Sequence, residues 1–381
     1  MKYIYGLNKS GRSIINYLDR IGENYFCWDD NKEIIKKLKL SNKNINFDEP
    51  NNLNISQINE AFITPGISLK DKRFDILTKN KIKLYRDLEL YSRLIRREKI
   101  VAITGTNGKS TTTKLISNIL SKNNYINFLG GNIGVPLLDF NISKRKKNYH
   151  VIELSSFQLE SVDSFDPLIS IILNISPDHL DRYKTYKEYA YQKEKIILSN
   201  QKGYNIVSID HKKTYELYKK YKKKIIPISN RYLANGVYFK DNCIIDNYFK
   251  KKNKIKLVKL SSSLFGSFNI ENILAAYVVI KILKINIRIF KQTLKNFSGL
   301  PHRLEKIYAN KNLQVINNSK ATNVDSSIKS ICNFNNINLI LGGRAKEKNF
   351  KKINIYKNRI NKIYIVGESA KLIFKKLNKN T

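Results

Sequence analysis

The stretch Ile103-Thr104-Gly105-Thr106-Asn107-Gly108-Lys109-Ser110-Thr111 has the make-up of a phosphate cradle. Its glycines allow backbone N–H groups to turn toward an oxyanion. Lys109 can reach terminal phosphates, the Ser110 hydroxyl can ligate Mg²⁺, and a following helix offers its positive N-terminus. The general pattern has a further glycine where this chain has Ile103, so the loop is a shortened variant. Phosphoryl chemistry also needs metal and cationic groups, because charge develops on the transferred group. Glu153 ends the apolar run Val151–Leu154, just before Ser155-Ser156-Phe157-Gln158. A carboxylate at the end of a strand beside the phosphate loop is well placed for Mg²⁺. His179, in Asn174-Ile175-Ser176-Pro177-Asp178-His179-Leu180-Asp181-Arg182, follows the next apolar run and could bind a second metal or orient a substrate.

These groups need elements to hold them. Ile100–Thr104 reads as a β-branched strand feeding the loop and then a helix, with Glu89–Glu98 as a connector before it. Further strands are expected at Val151–Leu154 and Leu168–Ile175. A lysine-rich stretch of weaker pattern runs over 203–259, and helical periodicity returns over Asn269–Leu283. Upstream, a strand at Lys2–Tyr5, a turn over Gly6–Gly11, a helix over Arg12–Ile21 and a strand at Tyr25–Trp28 ending in Asp29-Asp30 have the layout of a βαβ nucleotide-binding unit. Downstream, Leu313–Ile316, Ile337–Leu341 and Ile363–Val366 read as strands of a parallel sheet and Glu368–Leu377 as a helix.

The net charge is +39, which raises the question of nucleic acid. The basic residues recur along the whole chain, however, as in Lys36-Lys37, Arg96-Arg97 and Lys222–Lys224. Asn and Ile are also heavily used, so a general drift toward Lys, Asn and Ile accounts for the charge. No RRM, KH or zinc-finger pattern accompanies it, and no nucleic-acid partner is expected. Cys27, Cys243 and Cys332 are far apart with no CxxC spacing, which fits a reducing compartment. No apolar run is long enough to cross a membrane, and the first residues lack a signal-peptide core, so a cytoplasmic monomer is expected.

Six ordered motifs carry a resemblance: Gly105–Thr111, Gly130-Gly131-Asn132-Ile133-Gly134, Glu153–Glu160, Asp178–Tyr183, Gly299-Leu300-Pro301-His302-Arg303 and Asn318-Ser319-Lys320-Ala321-Thr322-Asn323. Together they resemble the Mur ligases, most of all the members that add D-glutamate. The resemblance runs from residue 2 to the end of the chain. It implies an α/β protein of three domains. Residues 1–93 form a Rossmann-like unit for a UDP-sugar. Residues 94–298 form a P-loop unit for ATP. Residues 299–381 form a Rossmann-like unit for the amino acid, shortened relative to the family.

The activity implied is ATP-dependent addition of D-glutamate to UDP-N-acetylmuramoyl-L-alanine through an acyl phosphate, with two Mg²⁺ sites. By position, Ser10, Asp29 and Asp30 would contact uridine, and Thr64 and Gly66 would sit near the diphosphate. Asn132 and His179 would meet the sugar-peptide or its metal. Lys193 aligns with a lysine that the family carbamylates, which would turn a cation into an oxygen ligand. Asn272 would lie beside adenine, and Arg303 and Lys320 would face the phosphates. Thr322 and Lys346 would hold the carboxylates of D-glutamate. The family has Asp where this chain has Asn318, so a cationic partner of that residue is expected to lose its counter-charge. A ligase adding another amino acid, a non-catalytic nucleotide-binding member and a basic P-loop protein that binds nucleic acid stay open as alternatives.

Overall fold

The computed structural model describes residues 1–41, 45–95, 99–140, 148–249, 253–257, 260–264, 266, 268–345 and 349–377. The first region contains β1 (Lys2–Tyr5), α1 (Lys9–Ile21), β2 (Tyr25–Trp28), α2 (Lys32–Ser41), β3 (Asn46–Phe47), β4 (Glu60–Ile63), α3 (Asp75–Lys79), β5 (Lys83–Tyr85) and α4 (Asp87–Leu94). Its strands form one parallel sheet in the order β3-β2-β1-β4-β5. Tyr3, Ile4 and Tyr5 are all buried, as expected of a strand covered on both faces. α1 starts three residues before the expected Arg12, because Arg12 N already bonds to Asn8 O at 2.9 Å. Gly11 makes this possible: a Cβ there would fall 1.9 Å from Gly6 O.

The second region contains β6 (Ile100–Thr104), α5 (Lys109–Lys122), β7 (Ile126–Gly131), β8 (Asn148–Glu153), β9 (Ile169–Ile172), α6 (Tyr186–Ser199), β10 (Tyr204–Ser208), α7 (Lys212–Tyr221), β11 (Ile225–Ser229), β12 (Val237–Lys240), β13 (Cys243–Asp246), β14 (Asn253–Lys256), α8 (Phe268–Ile282) and α9 (Ile287–Lys295). Its nine strands run in the order β14-β13-β12-β11-β10-β9-β6-β8-β7, parallel from β7 to β12 and antiparallel beyond. The described residues of the stretch of weak pattern thus form five strands and the helix α7; the edge strand β14, Asn-Lys-Ile-Lys, carries little apolar signal. α8 is apolar nearly all round, and Ile273 to Ile280 are buried between the sheet and α5.

The expected connector Glu89–Glu98 begins as helix. Leu88, Leu90 and Tyr91 of α4 are buried between the first two sheets. Glu89 accepts from Asp163 N (2.8 Å), Ser164 N (2.9 Å) and Ser164 Oγ (2.7 Å), which ties α4 to the second region.

The third region departs most from expectation. β15 (Glu305–Ala309) and β16 (Gln314–Asn317) form a separate antiparallel hairpin, so the expected strand near 313–316 does not join the others. The short link between Ala309 and Gln314 permits only that return. After α10 (Val324–Ile331), β17 (Ile337–Gly342) and β18 (Ile360–Val366) pair in parallel, followed by α11 (Ala370–Leu377). One face of this pair packs on Val324, Ile331, Phe350, Ile353, Ile373 and Leu377. Its other face exposes Ile340, Tyr364 and Val366.

Candidate functional site

β6 is an interior strand of the second sheet, third from its β7 edge, with β8 on one side and β9 on the other. Ligands of open α/β sheets bind at the carboxyl ends of strands where the order switches. The three ends here deliver Gly105–Gly108, Glu153 and Asn174. Gly108 caps α5 with a φ of 85°, and a Cβ on it would come 2.5 Å from Asn272 Oδ1. Asn272 is held in turn by Thr112 Oγ1 (3.0 Å) and Asn269 Oδ1 (2.9 Å).

Asn174 was not marked as a site residue by its sequence, yet it shapes the loop. Its Oδ1 accepts from Asn107 N (2.8 Å) and its Nδ2 donates to Asn107 O (3.1 Å) and Glu271 Oε2 (3.1 Å). Its place at the end of a buried strand opposite a Gly-rich loop is the signal that points to this role. Thr106 N bonds to Asn174 O at 2.8 Å, and Thr106 Oγ1 meets Ser176 and Tyr189 Oη.

Lys109 Nζ donates to Gly105 O and Thr106 O, both at 2.9 Å. Burial lowers its pKa; the Glu153 carboxylate opposes that fall and the Arg303 guanidinium adds to it. Ser110 Oγ and Glu153 Oε2 are buried without a protein hydrogen-bond partner. The other Glu153 oxygen accepts from Asn132 Nδ2 at 2.7 Å, so Asn132 orients the carboxylate. Leaving two buried oxygens unsatisfied is costly. A Mg²⁺ ion takes one or two protein oxygens and completes its shell with phosphate and water, so this pair fits such an ion. Among the described residues no group of three or more His, Cys, Asp or Glu could hold a metal by itself.

His179 adopts a left-handed φ of 53°, with its ring 4.8 Å from Phe157 and Nε2 3.7 Å from Asp178 Oδ2. Lys193 is fully buried and donates to Gly105 O (2.9 Å) and Thr104 Oγ1 (3.3 Å). Burial and the neighbouring Lys109 hold its pKa well below the usual lysine value. As an ammonium it only donates and is no metal ligand; burial favours its neutral form.

A cleft between the second and third regions is lined by Asn107, Gly108, Thr111, Asn272, Arg303 and Lys320, among others. Arg303 and Lys320 therefore share one cleft with Asn107, Gly108 and Thr111 of the phosphate loop. Asn318 also lines this cleft. Its Oδ1 accepts from Leu304 N (3.2 Å) and its Nδ2 donates to Ser330 Oγ (2.5 Å). Both hydrogen-bond partners are neutral and an amide serves them, while Arg303, Lys320 and Lys329 line the same cleft. Thr322 is exposed just before α10, outside the cleft lining, and Lys346 lies outside the described residues.

In the first region both carboxylates expected at uridine have protein partners; Asp29 is buried and Asp30 is exposed. Asp29 accepts from Leu7 N (2.6 Å) and Asn31 N (2.8 Å). Asp30 bonds to Tyr5 Oη and Arg73. The Ser10 hydroxyl bonds to the buried Asp87. Thr64 and Gly66 sit in the turn after β4, across the switch point from Gly6.

Residues 103–280 match the model of the Mur ligase middle domain. The UDP-N-acetylmuramoylalanine–D-glutamate ligase of Rickettsia prowazekii is 36% identical over 99% of this chain and 84% of its own length. The enzyme of the same name from Wolbachia pipientis is 31% identical over 96% of this chain and 82% of its own. Among solved structures, Thermotoga maritima UDP-N-acetylmuramate–alanine ligase superposes with a TM-score of 0.60 at 17% identity, covering 99% of this chain and 87% of that one. The MurF ligase of the same organism, in complex with ADP, gives 0.58 at 17% identity, covering 83% and 77%. At that identity the two structures speak for the shared fold, while the sequence relatives settle the kinship: this chain belongs to the Mur ligase family.

Proposed function

We propose that this chain joins D-glutamate to UDP-N-acetylmuramoyl-L-alanine with hydrolysis of ATP to ADP and phosphate, a step of peptidoglycan precursor synthesis. The names of its relatives at 31–36% identity support that choice of substrates. The observation that carries the chemistry is the pair of unsatisfied buried oxygens, Ser110 Oγ and Glu153 Oε2, beside a lysine-bearing phosphate loop.

In this reading an oxygen of the L-alanine carboxylate attacks the γ-phosphorus and the bond to the β-phosphate oxygen breaks, giving an acyl phosphate and ADP. The amine of D-glutamate then attacks the acyl carbon. Phosphate leaves and the amine gives up its proton as the amide forms. Lys109 and Arg303 offset charge on the transferred phosphoryl, and Asn272 and Lys320 hold the nucleotide. A bound Mg²⁺ supplies further charge neutralisation at the phosphates. Ser110 and Glu153 would hold one ion; His179 and a carbamylated Lys193 are assigned to a second. Thr322 and Lys346 are assigned to D-glutamate, and Ser10, Asp29, Asp30, Thr64, Gly66 and Asn132 to the UDP-sugar side. We assign the UDP-sugar, ATP and amino acid to residues 1–93, 94–298 and 299–381 respectively, in a monomeric cytoplasmic enzyme. No helix among the described residues is long and apolar enough to cross a membrane. Lys109→Ala is expected to abolish ADP formation in the presence of all three substrates; turnover that persists at the wild-type rate refutes the role given to Lys109.

A further inference from the structure

Two motif residues have no part in the reaction as described: Glu160, which ends the Glu153–Glu160 motif, and Arg182, which follows His179. The structure brings both to the turn after β4. Arg86, fully buried, donates through Nη1 to Ile63 O (2.8 Å) and Thr64 O (2.7 Å). Arg182 donates to the next carbonyls, Gly66 O through Nη1 (3.2 Å) and Ile67 O through Nη2 (2.8 Å). Glu160 stands between the two guanidinium groups. Its carboxylate bonds to Arg86, to Arg182 (3.2 Å) and to Tyr183 Oη (3.0 Å), and its backbone oxygen takes Lys195 Nζ.

The turn is thus held from two sides, by Arg86 from its own sheet and by Arg182 from the second region. The same Arg182 reaches the reaction centre. Its guanidinium lies 4.8 Å from the centre of the Phe157 ring, which also meets the His179 ring at 4.8 Å and the Tyr183 ring at 5.8 Å. Its backbone N–H bonds to His179 O at 3.0 Å. Carbonyl oxygens at a strand end repel an anion. Guanidinium groups that engage them, two against one carboxylate, leave a net positive charge behind the turn.

We propose that Arg182 is a positioning residue for the UDP-sugar substrate. With Glu160 and Arg86 it clamps the Thr64–Ile67 turn in register with the loop that carries His179. The inference rests on the proposed function, since it takes that turn to face the substrate's diphosphate. A displacement of about 1 Å between a binding turn and the reacting groups is enough to weaken turnover about a hundredfold.

The test measures calorimetric binding of UDP-N-acetylmuramoyl-L-alanine, the KM of each substrate and the thermal midpoint, for wild type, Arg182→Ala, Arg182→Lys and Glu160→Gln. Arg182→Ala is expected to weaken UDP-sugar binding about tenfold or more, a loss typical of removing charge-assisted hydrogen bonds. The KM values for ATP and D-glutamate should stay within about twofold, and Arg182→Lys should restore part of the loss because it keeps the charge and one donor. Glu160→Gln should act in the same direction. Tighter binding by Glu160→Gln would mean that net charge matters and geometry does not, and it overturns the clamp. Unchanged affinity in Arg182→Ala overturns the inference alone, as does an equal rise of all three KM values with a fall in thermal midpoint. Wild-type protein that binds no UDP-sugar overturns the proposed function as well.

Discussion

At the scale of single residues, the Asn132–Glu153 contact sets the most direct expectation. Asn132→Ala leaves Glu153 without its orienting donor, and loss of such an outer partner typically costs about 10–100-fold in metal affinity. The Mg²⁺ concentration for half-maximal ADP formation should rise accordingly; no change would separate Glu153 from the metal. Asn318 gives a second expectation. Its partners are a backbone N–H and a hydroxyl that can reorient, but Arg303 and Lys320 line the same cleft, so the carboxylate of Asn318→Asp should change the KM for ATP by about tenfold, on the scale of one hydrogen bond to a charged group; an unchanged KM would mean that residue 318 does not act on the nucleotide side. His150 supplies a pH dependence. It is buried against Tyr91, Phe128 and Phe140, and burial, aided by Lys99, lowers its pKa from 6.5 to about 4. The unfolded chain therefore binds this proton more readily. Stability from this group is complete above about pH 6.5 and is lost as pH falls from there through about 4. At about 1.4 kcal/mol per unit, the loss is about 3 kcal/mol. Chemical denaturation at pH 7 and pH 4.5 should show a smaller difference for His150→Phe than for wild type.

At the scale of elements, the sequence was most legible where strand, loop and helix follow one another without interruption. Thr104, Gly105, Gly108 and Lys109 fall where the β6–α5 pattern places them, because the turn chemistry of a phosphate loop is written in local residue types. Glu153 was legible for the same reason, as the last residue of a buried apolar run. Asn174 was not, since its role depends on a neighbouring strand that only the sheet order supplies. The antiparallel β12–β14 edge was also missed, and so were β15 and its antiparallel pairing with the expected strand at Leu313–Ile316. These strands are only four or five residues long and show no sustained alternation, and pairing across the sheet overrides that weak local signal. Gly108→Ala tests the loop itself. The left-handed backbone costs about 1–2 kcal/mol for a residue with a Cβ, and the new atom meets Asn272 Oδ1 at 2.5 Å. ATP affinity should fall with little loss of helix content by circular dichroism; retained affinity would mean that Asn272 moves freely and does not define the nucleotide side.

At the scale of the whole molecule, the first two regions are joined tightly. Glu89, Arg86 and Arg182 all bridge them, with Lys83 and Tyr85 meeting Asp163 at the rim. The third region faces the phosphate loop across the cleft, with Asn323 reaching Asn107 at 3.5 Å. In the proposed function that arrangement suits closure of residues 299–381 onto ATP and UDP-sugar held by the first two regions, which would shield an acyl phosphate from water. The net charge of +39 acts at this scale too. Raising ionic strength from about 0.01 M to 0.15 M shortens the screening length from about 30 Å to about 8 Å. The KM values for the anionic substrates should rise with little change in kcat, and a flat salt profile would leave the charge without a part in substrate capture. The most direct measurement is phosphate release from ATP with UDP-N-acetylmuramoyl-L-alanine, with and without D-glutamate, and mass analysis of the product. Sustained release that requires both, with one amide formed per phosphate, is the expected result. ATP that binds but yields no phosphate with all three components present would contradict the assignment of ligase activity to this chain.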